Sequence, residues 1–194
     1  MNKKNIKLAV IGAGYWGKNL VRNFYELGVL SLVCDGDEEV LKKTKDLYTD
    51  VEVTKDSSKI FKNKSIDAVV VSLPVKMHYE YAKKALLSKK NVFVEKPLSL
   101  NHIEAEELID IAGKYKKIIM VGHLLQYHPA FIKLKEIVSN GELGRLNYIY
   151  SNRLNLGKIR KEENILWSFA PHDISMILSL VNEEPRSVFS KGGF

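Results

Sequence analysis

The sequence predicts a doubly wound α/β domain, a parallel sheet with helices on both faces, followed by the start of a second domain. Three observations carry this. Short β-branched apolar runs alternate with amphipathic helical stretches from Ile6 to Gly122, as successive βαβ units do. The first run ends in Gly12-Ala13-Gly14-Tyr15-Trp16-Gly17 with a helix directly behind it, the glycine spacing of a tight strand-to-helix turn. Beyond Gly122 the regular alternation stops, which divides the chain at 1–122 and 123–194.

Taken in order, the strands are expected at Lys7–Ile11, Ser31–Cys34, Val51–Thr54, Ala68–Ser72, Asn91–Val94 and Ile118–Val121. The intervening helices are expected at Lys18–Leu27, Glu38–Leu47, His78–Leu87 and Ile103–Tyr115, the last capped by Asn101 with Glu104 three residues on. In the second part, Pro129–Ser139 reads as a helix, Gly141–Gly144 as a turn and Leu146–Arg153 as a strand with alternating faces. A polar loop, Asn155–Asn164, precedes an apolar helix at Ile165–Val181, and a further strand is expected from about Arg186. The chain stops at Phe194 in mid-element, which reads as a second domain cut short.

With 45% hydrophobic residues in 194, the chain has the apolar content for one full core and part of another. Its longest apolar runs fall far short of a membrane span, and Met1–Lys7 lacks a signal-peptide core, so a cytoplasmic protein with no membrane partner is expected. The single cysteine, Cys34, rules out an intrachain disulfide. The net charge of +7 comes from lysines scattered among acids, with no aromatic-interleaved basic stripe. This disfavours nucleic acid as a partner and leaves an anionic small molecule open.

The glycine turn carries the first chemistry. Gly12 permits the tight turn, Gly14 lets backbone approach a pyrophosphate, and Gly17 allows close helix packing. Ala13, Tyr15 and Trp16 are expected cofactor contacts in the same turn, whose free N–H groups and helix dipole would face the anion. Asp35, at the end of the second strand, stands where a carboxylate accepts from adenosine ribose hydroxyls. A carboxylate there repels a 2′-phosphate, so NAD is expected rather than NADP. The alternatives are that Asp35 only opens an Asp-Gly turn with Gly36, or that Asp37 takes the ribose.

Two more motifs follow strands at the sheet's carboxyl edge: Ser72-Leu73-Pro74-Val75-Lys76-Met77-His78 after the fourth and Glu95-Lys96-Pro97 after the fifth. Together with Pro171-His172-Asp173 and the glycine turn, they make the sequence resemble the Gfo/Idh/MocA oxidoreductase family. The resemblance implies a Rossmann domain, an open-sheet domain that usually forms a homo-oligomer interface, and a sugar or nucleotide-sugar substrate. It implies cofactor contacts from Ser72, Leu73, Pro74, His78, Glu95 and Lys96. By the same resemblance Lys96 holds the reacting hydroxyl and His172 exchanges its proton. That division suits alcohol oxidation, which needs a proton acceptor working near neutrality and a cation for the developing alkoxide. Many members carry Asp four residues before the histidine; Ser168 stands there in this chain.

His123, Gln126 and Tyr127 follow the sixth strand and are expected to line the substrate side. With no carboxylate or cysteine at ligand spacing, His123 and His128 are not expected to hold a metal. Arg153, Asn155, Lys158 and Arg160 look like the subgroup that acts on nucleotide-linked sugars, with Arg153 and Asn155 reaching hydroxyls and Lys158 or Arg160 a diphosphate. The rival expectations are an inositol or free-sugar dehydrogenase, and an NAD-binding regulator without turnover.

Overall fold

The computed structural model describes residues 6–154 and 164–192. The chain divides into two compact units, Met1–Gly122 and His123–Phe194. The first is a six-stranded sheet in the order β3-β2-β1-β4-β5-β6. Its strands are β1 (Leu8–Ile11), β2 (Leu30–Cys34), β3 (Glu52–Thr54), β4 (Ala68–Val71), β5 (Asn91–Val94) and β6 (Ile119–Val121). Every pairing is parallel. The order reverses between β1 and β4, so a crevice opens at their carboxyl ends, where doubly wound sheets take their ligands.

The central strands β1 and β4 are apolar throughout because both of their faces are covered. In β1, Ala9 and Ile11 join a core with Ile60, Leu86 and Leu108, while Leu8 and Val10 join a second core with Val21 and Leu41. Helices α3 (Ser58–Lys62), α4 (His78–Leu87) and α5 (His102–Tyr115) close the first face; α1 (Gly17–Glu26) and α2 (Glu38–Leu47) close the other. Local chemistry fixes the ends. The Asp37 side chain accepts from Glu39 N at the start of α2, and Asn101 accepts from Ile103 N at the start of α5. Lys116 closes α5 in the left-handed region, at φ 52°.

The second unit contains α6 (Pro129–Ser139) and α7 (Ile165–Val181), preceded by a 3-10 turn at Leu124–Tyr127. Two expectations fail here. Residues 146–153 form no strand, and neither do the described residues from Arg186 onward. A strand needs a neighbour to take its amides and carbonyls, and among the described residues neither segment has one. Their apolar side chains stand in solvent: Tyr148 is 83% exposed and Phe189 90%. The expected loop at 155–163 lies outside the described residues. Short α3 was not foreseen.

The packing predicts a sharp contrast within α5. Leu108 is fully buried and its neighbour Ile109 is exposed. Leu108→Ala should cost about 2–5 kcal/mol in urea unfolding, and Ile109→Ala within about 0.5 kcal/mol. The Cys34 thiol is pushed up to about 11, first by burial and then by the Asp35 and Asp56 charges. Its alkylation at neutral pH should therefore track unfolding, as measured by labelling against denaturant.

Candidate functional site: a dinucleotide cradle at the sheet's carboxyl edge

The glycine turn leaves β1 and is held by backbone on both sides. Gly12 N donates to Cys34 O at 2.8 Å, and Ser72 N donates to Ile11 O at 2.8 Å. Gly12 has φ 91°, and a Cβ placed on it would lie 2.3 Å from Ser72 O. A Cβ on Gly17 would lie 2.1 Å from Gly12 O. Both positions are closed to any side chain by backbone that cannot swing aside. Gly14 differs: a Cβ there meets nothing within 4 Å. Its lack of a side chain is not required by the protein's own packing and leaves the turn's backbone open to close approach, as a bound pyrophosphate would need.

Asp35 ties β2 to this turn. Its Oδ2 accepts from Ala13 N at 2.7 Å and its Oδ1 from Asp37 N at 2.9 Å. The carboxylate is thereby fixed beside the turn, and each oxygen keeps a second lone pair, enough for ribose hydroxyls; the Ala13 amide, bonded to Asp35, is not among the free N–H groups expected to face an anion. Asp37 is committed to capping α2. Tyr15 is 83% exposed, with Lys18 Nζ 5.6 Å from its ring centroid. Ser72 and Leu73 are half-buried and Pro74 exposed along the neighbouring loop.

The β5 turn is built from buried groups around a half-buried lysine. Glu95, 9% exposed, accepts from Trp16 Nε1 at 2.8 Å and from Lys96 N at 3.3 Å. Burial raises the Glu95 carboxyl, opposed by the Trp16 and Lys96 hydrogen bonds and by the Lys96 and His78 charges. A Cβ on Gly122 would lie 2.9 Å from Glu95 Oε1, so that glycine makes room for the carboxylate. Sequence reasoning missed Gly122, because its partner lies on another strand. The Lys96–Pro97 peptide is cis. His78, expected at the cofactor, is 2% exposed, with both ring nitrogens against backbone carbonyls of the protein. It reaches a ligand only through the loops it touches.

The second unit gathers several predicted residues around α7. The His123 and His172 rings meet edge-on at 6.3 Å between centroids. Gln126 donates from Nε2 to Ser175 O at 2.7 Å. Ser168, 7% exposed, lies one helical turn before His172, where the two residues share a face. Tyr127 is exposed, and His128 accepts from Ala130 N to cap α6. Arg153, expected to reach substrate hydroxyls, instead donates from Nε and Nη2 to Asp173 at 2.7 and 3.2 Å. Asn155, Lys158 and Arg160 lie outside the described residues.

Residues 6–123 match the oxidoreductase family with an NAD-binding Rossmann fold, GFO_IDH_MocA. The chain belongs to that family. The resemblance read from the motifs is thus confirmed, and NAD is the cofactor of the family's Rossmann fold. Among relatives, the chain is 28% identical to a myo-inositol 2-dehydrogenase of Thermotoga maritima, over 96% of this chain and 58% of that protein. It is 27% identical to an uncharacterised oxidoreductase of Bacillus subtilis, over 97% of this chain and 58% of that protein. A probable dehydrogenase from Thermotoga maritima, known by crystal structure, superposes with a TM-score of 0.81 at 28% identity. That superposition covers 92% of this chain and 56% of the other. The chain thus spans little more than half the length of these family members. No helix among the described residues is long and apolar enough to cross a membrane.

The two kinds of glycine separate in a simple experiment. Gly14→Ala should leave stability within about 0.5 kcal/mol and weaken NAD about tenfold or more, about 1.4 kcal/mol, by calorimetric titration. Gly12→Ala should cost about 3 kcal/mol of stability, from the forced φ and the backbone clash.

Proposed function

We propose that this chain is the cofactor-binding and catalytic part of an oxidoreductase that moves hydride between nicotinamide and the carbon of a secondary hydroxyl on a polyhydroxylated ring. The observation that carries the reading is the combination at one sheet edge of the Gly12–Gly17 cradle, fixed Asp35 and half-buried Lys96. When bound, NAD supplies the hydride acceptor. The chain's own groups manage the substrate oxygen. His172 takes the hydroxyl proton, and the Lys96 ammonium stabilises the negative charge that grows on that oxygen as the carbonyl forms. In the reverse direction the same imidazole returns the proton.

A cyclic polyol of the inositol class is the first substrate. It is supported by the myo-inositol 2-dehydrogenase relative at 28% identity. A nucleotide sugar such as UDP-N-acetylglucosamine is the second, carried by Lys158 and Arg160 in the basic segment that follows.

Absorbance of reduced cofactor, followed while each substrate is added to the purified protein, tests both. Turnover on myo-inositol is expected, and Lys96→Ala and His172→Ala should each lower kcat about 100-fold or more. Turnover confined to UDP-N-acetylglucosamine, with KM raised by neutralising Lys158 and Arg160, selects the second substrate. Tight NAD binding without turnover on polyols, free sugars or nucleotide sugars would overturn the enzyme reading in favour of a regulator.

A further inference from the structure

His78 opens α4 and is almost fully buried. Its Nδ1 lies 2.7 Å from Pro97 O and its Nε2 lies 2.7 Å from Leu73 O. A carbonyl oxygen only accepts hydrogen bonds, and a neutral imidazole carries one N–H and one bare nitrogen. With one proton on the ring, one of these contacts would press two lone pairs together where no water can intervene. Both contacts are hydrogen bonds only when each ring nitrogen carries a proton.

We propose that His78 is a positioning residue for Lys96, held in its two-proton form as a buried clamp between the Leu73 and Pro97 carbonyls. The clamp joins two loops that the sheet alone leaves separate. Val71 and Val94 are register partners at the ends of β4 and β5; beyond them His78 takes over, holding Leu73 on one side and Pro97 on the other. Lys96 sits between Pro97, so held, and Glu95, held by Trp16. A buried cation is costly without an anion near it. Glu95, buried on the β5 turn and accepting from Lys96 N, is the acidic group on the turn that the clamp holds. On α4 itself Glu80 is exposed and paired with Lys84. That Lys96 meets the substrate rests on the function proposed above; the state of the clamp does not.

The test is a proton–nitrogen correlation spectrum of the histidine rings, recorded on the labelled wild-type protein at neutral pH. Of the five histidines, the ring that shows contacts to Leu73 and Pro97 is expected to carry protons on both nitrogens. A bare nitrogen on that ring overturns the proposal, whatever the substrate proves to be. The variant H78Q presents one amide in place of two opposed N–H groups. If it folds and the wild type turns over a substrate, kcat should fall about tenfold or more, and the loss should remain at saturating NAD. An unchanged kcat also overturns the positioning role.

Discussion

The backbone of the glycine turn rests directly on the backbone of the β4 loop, with no room for a side-chain carbon between them. A Cβ on Gly12 would meet Ser72 O at 2.3 Å, closer than any side chain tolerates. That contact lies at the topological switch point between β1 and β4. Gly17 then seats α1 on the Gly12 carbonyl, and Asp35 fastens the turn to β2 through the Ala13 amide. Three strand ends are thus locked before any ligand arrives, and Gly14 is left facing open space. Preorganisation of this kind keeps the cost of ordering the site out of the binding step.

Buried polar groups reinforce the same edge. Glu95 and His78 lie inside the protein at the carboxyl ends of β5 and β4, each engaged on two sides. A different group performs the structural task at the opposite edge. Lys90, 3% exposed, precedes β5 and donates from Nζ to Asn63 O and Ile66 O at 2.6 and 2.9 Å. Burial lowers its pKa, partly offset by the Asp67 charge. That lysine satisfies the carbonyls of the α3–β4 connection and lies away from the ligand edge. Position along the strand, more than burial, separates the buried groups at the ligand edge from those at the opposite edge.

Much of the first unit was legible in the sequence, because each element repeats a local rule. The bounds of β5, α2 and α4 agree with those expected, since apolar period, capping residue and glycine or polar breaks coincide there. Five-residue α3 was missed because it is too short to show a helical period. The strand expected at 146–153 failed for another reason. Alternation such as that of Tyr148 and Tyr150 describes a face, and a face becomes a strand only beside a partner. Within the site, the motifs named the loops but not the contacts. Trp16 and Glu95 are 79 residues apart, Gly122 yields space to a residue on another strand, and the carbonyls that bracket His78 carry no side-chain signal. Arg153 was read as a substrate group because sequence cannot show that Asp173, one helical turn past Phe169, already holds it.

Calorimetric titration of the wild-type protein with NAD and with NADP, at one ionic strength, tests most directly whether this edge is an NAD cradle fixed by Asp35. Binding of NAD, with NADP weaker by about tenfold or more, about 1.4 kcal/mol, is the result the geometry predicts, because the 2′-phosphate must approach a carboxylate already bonded to Ala13 and Asp37. Equal or tighter binding of NADP, or binding of neither, would contradict it.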